Sequence, residues 1–234
     1  MNKRVLITGS TIGRALAVEF ARSPDVEQVY LTSHRNTHAG GEKIQQFQLD
    51  LTAEEEIAAL VAQLPALDGV VVASGFLHDG SLGPEKSVKS VSAELLGRNI
   101  ALNTLPAMLL AKHTRRLLKA SPAAFFTAIS ARVGSIGENE LGGWYSYRAS
   151  KAALNMFLKT LSVEWRRDLP NCTVAALHPG TVESPLSAPF TRRVPEEKLF
   201  SPEQSARYLK QNIDQLKPDD SGAFLSWDGR HLPW

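Results

Sequence analysis

Tyr147 and Lys151 stand four residues apart in Trp144-Tyr145-Ser146-Tyr147-Arg148-Ala149-Ser150-Lys151-Ala152-Ala153-Leu154-Asn155, a stretch rich in helix formers. On a helix that spacing puts both side chains on one face, one turn apart. A phenol ordinarily loses its proton near pH ~10, too high for useful exchange at neutral pH. Lowering that by ~3 units takes ~4 kcal/mol of preference for the phenolate. One ammonium at ~4 Å, at an effective dielectric of ~20, supplies about that amount. The two residues can therefore be a proton donor and its tuning charge. They can equally be an ordinary exposed helix pair, and the choice turns on whether the rest of the chain builds a nucleotide site beside them.

The elements that must position the pair follow an alternating pattern. Strands are predicted at residues 4–8, 28–32, 47–51, 69–73, 123–129, 173–177 and 223–227. The fourth is apolar throughout, as a strand buried on both faces should be. Helices are predicted at 13–21, at 52–64, at 93–119 with a bend at Pro106, from the Tyr147 stretch to about residue 167, and from Ser201-Pro202-Glu203-Gln204 onward. Thr52 followed by Glu55 reads as a capping box, a hydroxyl and then a carboxylate three residues on. Strand–helix alternation with buried strands implies an α/β fold with a parallel sheet and helices on both faces. Right-handed crossovers make it doubly wound. No linker, composition break or repeat divides the chain, so residues 1–234 are expected to form one domain around a seven-stranded parallel sheet.

With 43% hydrophobic and 21% charged residues and a formal net charge of +2, the composition gives no reason to expect nucleic acid or a membrane surface as partner. The cluster Arg115, Arg116 and Lys119 reads as the solvated end of a helix. A single cysteine, Cys172, excludes an internal disulfide framework and fits a reducing compartment. The apolar run after Met1 ends at Thr8-Gly9, too short for a signal peptide, and no run approaches the ~18 apolar residues of a membrane span. A cytoplasmic protein is expected. His34 and His38 have metal-like spacing, but without thiols or paired carboxylates nearby they read as a solvated loop, and no metal is expected.

Directly after the first strand comes Thr8-Gly9-Ser10-Thr11-Ile12-Gly13-Arg14-Ala15. Glycines in a strand-to-helix turn let the backbone approach a pyrophosphate, and the helix N-terminus favours its charge. At the end of strand two, where an acid would hydrogen-bond an adenosine ribose, the chain reads Thr32-Ser33-His34-Arg35. A hydroxyl and a guanidinium without a carboxylate suit a phosphate monoester, so NADP(H) is favoured over NAD(H).

The alternating elements, the Tyr147/Lys151 pair and these turns together resemble the short-chain dehydrogenase/reductase family over essentially the whole length. Ser130-Ala131-Arg132-Val133-Gly134-Ser135-Ile136, Gly142-Gly143-Trp144-Tyr145-Ser146-Tyr147-Arg148 and the ending Trp227-Asp228-Gly229…Pro233-Trp234 look like its C-factor-like branch. The resemblance implies a Rossmann fold that binds a nicotinamide dinucleotide. Against the family's usual glycine spacing, either Ala15 replaces the last glycine, or the turn is two residues short and Gly13 is that glycine. Asp50 and Leu51 match the position flanking the adenine. Ala73, Ser74 and Gly75 stand where the family usually has Asn-Ala-Gly. Asn103 matches a helix asparagine whose backbone holds a relay water, with Asn99 as a competing candidate. Ser130 matches the serine that polarises the substrate carbonyl, with Ser135 as the alternative. Pro179, Gly180, Val182 and Ser184 resemble the segment that packs on the nicotinamide, and the loop with Phe190, Val194, Leu199 and Phe200 occupies the place of a mobile substrate lid.

These readings combine into an oxidoreductase that moves hydride between NADP(H) and a small-molecule carbonyl or alcohol. Tyr147 would be the proton donor, Ser130 the polarising hydroxyl, and Lys151 the residue that holds the nicotinamide ribose. The family pattern is a homodimer or homotetramer. The altered glycine turn and the serine register also allow an NADP(H)-binding signalling or scaffold protein with little catalysis.

Overall fold

A computed structural model describes residues 2–34, 40–79 and 83–234, with only the backbone of Arg193. The chain runs β1 (Lys3–Thr8), α1 (Thr11–Arg22), β2 (Val26–Ser33), β3 (Ile44–Gln48), α2 (Glu54–Gln63), β4 (Gly69–Val72), α3 (Ala93–Asn103), α4 (Leu105–Lys119), β5 (Ala124–Ile129), α5 (Tyr145–Asp168), β6 (Cys172–His178), β7 (Thr181–Val182), β8 (Leu199–Phe200), α6 (Pro202–Gln215) and β9 (Ala223–Ser226). Seven strands form one sheet in the order β3-β2-β1-β4-β5-β6-β9, and every pairing is parallel. The predicted doubly wound sheet is therefore present.

Strand alternation sorts the core into two layers. Leu6, Val70, Phe126 and Val174 face one side, packing on Leu110, Leu118, Leu158 and Trp165 of α4 and α5. Val5, Ile7, Val29 and Leu177 face the other, against Leu16 and Phe20 of α1 and Leu209 of α6. Both faces of the central strands are buried, which is why those strands read as continuous apolar runs. Among the described residues no helix is long and apolar enough to cross a membrane.

Three local expectations are corrected. The third strand lies at Ile44–Gln48, three residues before its predicted position. It is a half-buried edge strand with three glutamines, so its apolar signal is weak. The Thr52 capping box does not form: α2 starts at Glu54 after an extended Ala53, and the Thr52 hydroxyl donates to the Asp50 carboxylate at 2.7 Å. The long helix is two helices. Pro106 has no N–H for the Leu102 carbonyl, so α3 ends at Asn103 and α4 begins at Leu105. The Thr104 hydroxyl at the break donates to the Ser150 carbonyl at 2.9 Å, tying the break to α5. The short parallel ribbon β7–β8 was not predicted, since two residues per strand carry no periodicity.

Candidate active site

The strand order reverses between β1 and β4, and in open α/β sheets ligands bind at the carboxyl ends of the strands beside such a switch point. Gly9 sits there at φ +99°, its N–H donating to the Thr32 carbonyl at 2.9 Å. A Cβ on Gly9 would lie 2.4 Å from the Ala73 carbonyl oxygen, so only glycine fits. The Thr8 hydroxyl accepts the Ala73 N–H at 3.1 Å and closes the same corner. Gly13 lies in the first turn of α1, where a Cβ would stand 2.2 Å from the Thr8 carbonyl oxygen. It makes the close helix-to-strand contact of a last glycine, so the turn is the two-residue-short version. Ser10 precedes α1 without a side-chain cap and the first turn holds no acid, which leaves the first N–H groups of the helix without a capping side chain.

Three buried polar atoms have no hydrogen-bond partner among the described residues: Thr32 Oγ1, Ser74 Oγ and His178 Nδ1. All three lie at or just beyond the carboxyl ends of β2, β4 and β6. Orphaned buried groups are uncommon and costly in folded proteins. Unpaired polar atoms at three strand ends, together with an uncapped helix start, fit the hydrogen-bonding chemistry of a bound dinucleotide. Burial holds the His178 ring down to about 4, so it is neutral at physiological pH. Ser33 and His34 follow at the end of β2, the latter accepting from Gln48 through its carbonyl at 3.2 Å. Arg35 lies outside the described residues. The Asp50 carboxylate accepts from the Thr52 N–H and hydroxyl, and these bonds hold its pKa below the usual carboxylate range. Leu51 packs against the core.

Tyr147 and Lys151 both lie on the buried face of α5, above the end of β5. The Lys151 ammonium donates to the Ile129 carbonyl at 2.9 Å and sits 6.0 Å from the Tyr147 ring centre. A methyl group on Gly75 would lie 3.8 Å from Lys151 Nζ, which places the end of β4 against the pair. The electrostatics correct the sequence expectation. Burial pushes the Tyr147 phenol up to about 12 and draws Lys151 down to about 8. An ammonium at ~4 Å favours the phenolate, but desolvation here acts against both charged forms. Tyr147 is thus a neutral phenol at physiological pH, the protonation state a proton donor needs.

Asn103 is wholly buried and fully engaged. Its Oδ1 accepts the Phe76 N–H at 2.6 Å, and its Nδ2 donates to the Phe76 carbonyl, to Asn99 Oδ1 and to Ser150 Oγ. The Ser150 hydroxyl in turn donates to the Tyr147 carbonyl at 2.8 Å. Asn103 therefore joins the loop after β4 to α5 through its side chain. Ser130, at the end of β5, donates to Asn155 Oδ1 at 2.6 Å, while Ser135 accepts the Glu138 N–H at 3.2 Å. Neither serine hydrogen-bonds Tyr147.

The segment after β6 is shaped by Gly180 at φ +78°, where a Cβ would strike the Phe200 ring at 2.5 Å. The Pro179 carbonyl accepts from Ser205 at 2.8 Å. The Val182 carbonyl accepts from Ser187, whose N–H bonds Ser184 Oγ at 3.2 Å. Beyond it Phe190 closes over the site, 4.9 Å from the Trp144 ring and 5.7 Å from the His78 ring; Trp144 in turn stands edge-on to Tyr147 at 6.1 Å.

The roles of Gly142, Gly143, Trp144, Arg148 and Glu85 here were not legible in the sequence. Gly142, Gly143 and Trp144 form a left-handed run at φ 62°, 66° and 53°. Arg148 reaches back to the carbonyls of Gly142, Gly143 and Val133, and the Glu85 carbonyl accepts the Trp144 N–H. The paired glycines were the available signal for the turn. Nothing local marks Glu85.

The comparisons agree with this geometry. The family model for short chain dehydrogenase matches residues 3–194. The chain is 34% identical over 239 residues to 1-hydroxy-2-glutathionyl-2-methyl-3-butene dehydrogenase of Rhodococcus sp. (strain AD45), covering 98% of this chain and 99% of that one. It is 36% identical over 106 residues to C-signal of Myxococcus xanthus, covering 45% of this chain and 58% of the relative. An NADPH-bound carbonyl reductase from chicken fatty liver superposes with a TM-score of 0.86 over 100% of this chain and 99% of its own, at 22% identity, a likeness of fold. A buried Tyr147/Lys151 pair over a switch-point crevice and a family match across most of the sequence lead to one conclusion: this chain belongs to the short-chain dehydrogenase/reductase family of oxidoreductases.

Proposed function

We propose that this protein is an NADP(H)-dependent carbonyl reductase or alcohol dehydrogenase acting on a small-molecule carbonyl or hydroxyl. The observation that carries the reading is the buried neutral phenol of Tyr147 beside Lys151, above the β5 end and against Gly75. The uncapped α1 start with Gly9 would hold the pyrophosphate, and the absence of a carboxylate in Thr32-Ser33-His34 favours the 2′-phosphate form. A bound dinucleotide supplies the hydride. Tyr147 gives its proton to the developing alkoxide at the phenol oxygen. Ser130 is the polarising donor, its hydroxyl turning from Asn155 to the carbonyl, and Ser135 is the alternative. Lys151 anchors the nicotinamide ribose. Pro179, Gly180, Val182 and Ser184 line the nicotinamide side, and Phe190 with Trp144 excludes water.

The reading extends to a single cytoplasmic domain working as a homo-oligomer. Its test is NADPH oxidation with a panel of aldehydes and ketones, comparing wild type with Tyr147→Phe. Turnover that is unchanged by the substitution rejects the mechanism. The shortened glycine turn favours a second reading, an NADP(H)-binding signalling protein. In that case NADPH binds but no carbonyl in the panel is reduced.

A further inference from the structure

Helix α5 has 24 residues and carries both Tyr147 and Lys151, yet it begins without a cap of its own. The residue before it is Trp144, whose indole cannot accept a backbone N–H and whose φ of 53° is the only positive value at a non-glycine position among the described residues. A left-handed conformation at a bulky residue is strained and persists only where its surroundings enforce it. The enforcing group comes from far off in sequence. Glu85 is 3% exposed, and both its carboxylate oxygens accept the Ser146 N–H, at 3.1 and 3.3 Å, while the Ser146 hydroxyl donates to the same carboxylate. The Glu85 carbonyl accepts the Trp144 N–H at 2.5 Å. Among the described residues Glu85 has no cationic partner. The positive end of a long helix and three hydrogen bonds take that place.

We propose that Glu85 is a positioning residue for the Tyr147 reaction: it fixes the first turn of α5 from outside, and so sets where the phenol and the Trp144 ring meet the substrate. This rests on the reading of Tyr147 as proton donor. Glu85 belongs to the segment that follows β4. Asn103 pins that segment at Phe76, and Glu85 pins it again at Trp144 and Ser146. Both pins end beside Tyr147, the first through Ser150 and the second through the neighbouring Ser146. His78, lying between them in sequence, meets Phe190 of the lid. The crevice wall and the proton donor are thereby held in one register by two buried polar clasps.

The test compares Glu85→Ala, Glu85→Gln and Tyr147→Phe in the intact protein, reading carbonyl kcat and KM, the NADPH dissociation constant by fluorescence, and amide exchange of the peptide covering residues 144–151. Misplacing a donor by about 1 Å costs on the order of 100-fold. Glu85→Ala should therefore lower kcat by about 10- to 100-fold and change NADPH affinity less than about twofold. Amide exchange of the peptide should speed up by about tenfold. Glu85→Gln keeps an oxygen acceptor for Ser146 and should restore most of kcat. Wild-type kcat and unchanged exchange in Glu85→Ala would overturn the proposal. So would a loss shared equally by NADPH binding, which marks general destabilisation. If Glu85→Ala does not fold, Ser146→Ala removes only the hydroxyl donor and is judged by the same measurements. If wild-type turnover is indifferent to Tyr147→Phe, the reductase reading fails by itself, and the exchange measurement still decides whether Glu85 holds the helix start.

Discussion

The two ends of α5 share one helix and one buried face, but the first is mainly polar and the second mainly apolar. Its first turns bury Ser146, Tyr147, Ser150, Lys151 and Asn155 beside Leu154, while its later turns bury Leu158, Leu161 and Trp165 beside Ser162. Trp165 stands edge-on to Phe126 at 5.6 Å in the sheet core and is 1% exposed. Below, the helix gains stability from hydrocarbon and aromatic contact. Above, it carries a disfavoured ammonium, a phenol pushed up by desolvation and a left-handed tryptophan. One element thus serves two ends: the lower half anchors it to the sheet, and that anchorage permits the upper half to hold groups that folding alone would disfavour.

The sharpest way to separate the halves is Tyr147→Phe. It should cut carbonyl turnover by about 10²- to 10⁴-fold and leave NADPH affinity and melting temperature nearly unchanged. Trp165→Ala should do the reverse, costing about 3–5 kcal/mol of stability in urea unfolding, with turnover per folded molecule preserved. A comparable loss of turnover at low temperature would show that the halves are not independent. Ser130→Ala tests the boundary between them, since its hydroxyl faces Asn155. A fall of about 10²- to 10³-fold identifies it as the polarising donor. An unchanged rate transfers that role to Ser135.

Lys151 gives the smallest and most diagnostic shift. Its pKa falls from 10.5 to about 8 in the fold, so the charged form is disfavoured by about 3 kcal/mol at pH 7. The penalty is complete below pH 8 and is relieved between pH 8 and 10.5, where the folded chain has lost a proton that the unfolded chain retains. Lys151→Met should therefore raise the melting temperature by a few degrees at pH 7, with the gain shrinking towards pH 10 and activity abolished. In the wild type, turnover that needs the ammonium should fall as pH rises through about 8.

What could be read from the sequence was whatever is local or periodic. Buried strands announced themselves as apolar runs, the tyrosine and lysine by their spacing, and the nucleotide turn by glycines directly after β1. What could not be read depends on the assembled fold. Desolvation of Tyr147 exists only once α5 lies on the sheet, so its direction was inferred with the wrong sign. Glu85 is sixty-one residues from Ser146 and sits in an unremarkable loop. Edge strand β3 lacked an apolar signature, and the break at Thr104 needed the contact with Ser150 to show why Pro106 interrupts a helix instead of bending it.

Only Gly9 and Ser10 separate β1 from α1. So short a tether has no slack with which to wrap around an arriving anion, and the first turn of α1 is already pressed onto Thr8 through Gly13. A dinucleotide would meet a finished seat and leave it without waiting for a flap to lift at the phosphate end, so its residence time would be governed by the Phe190 loop at the opposite, nicotinamide end.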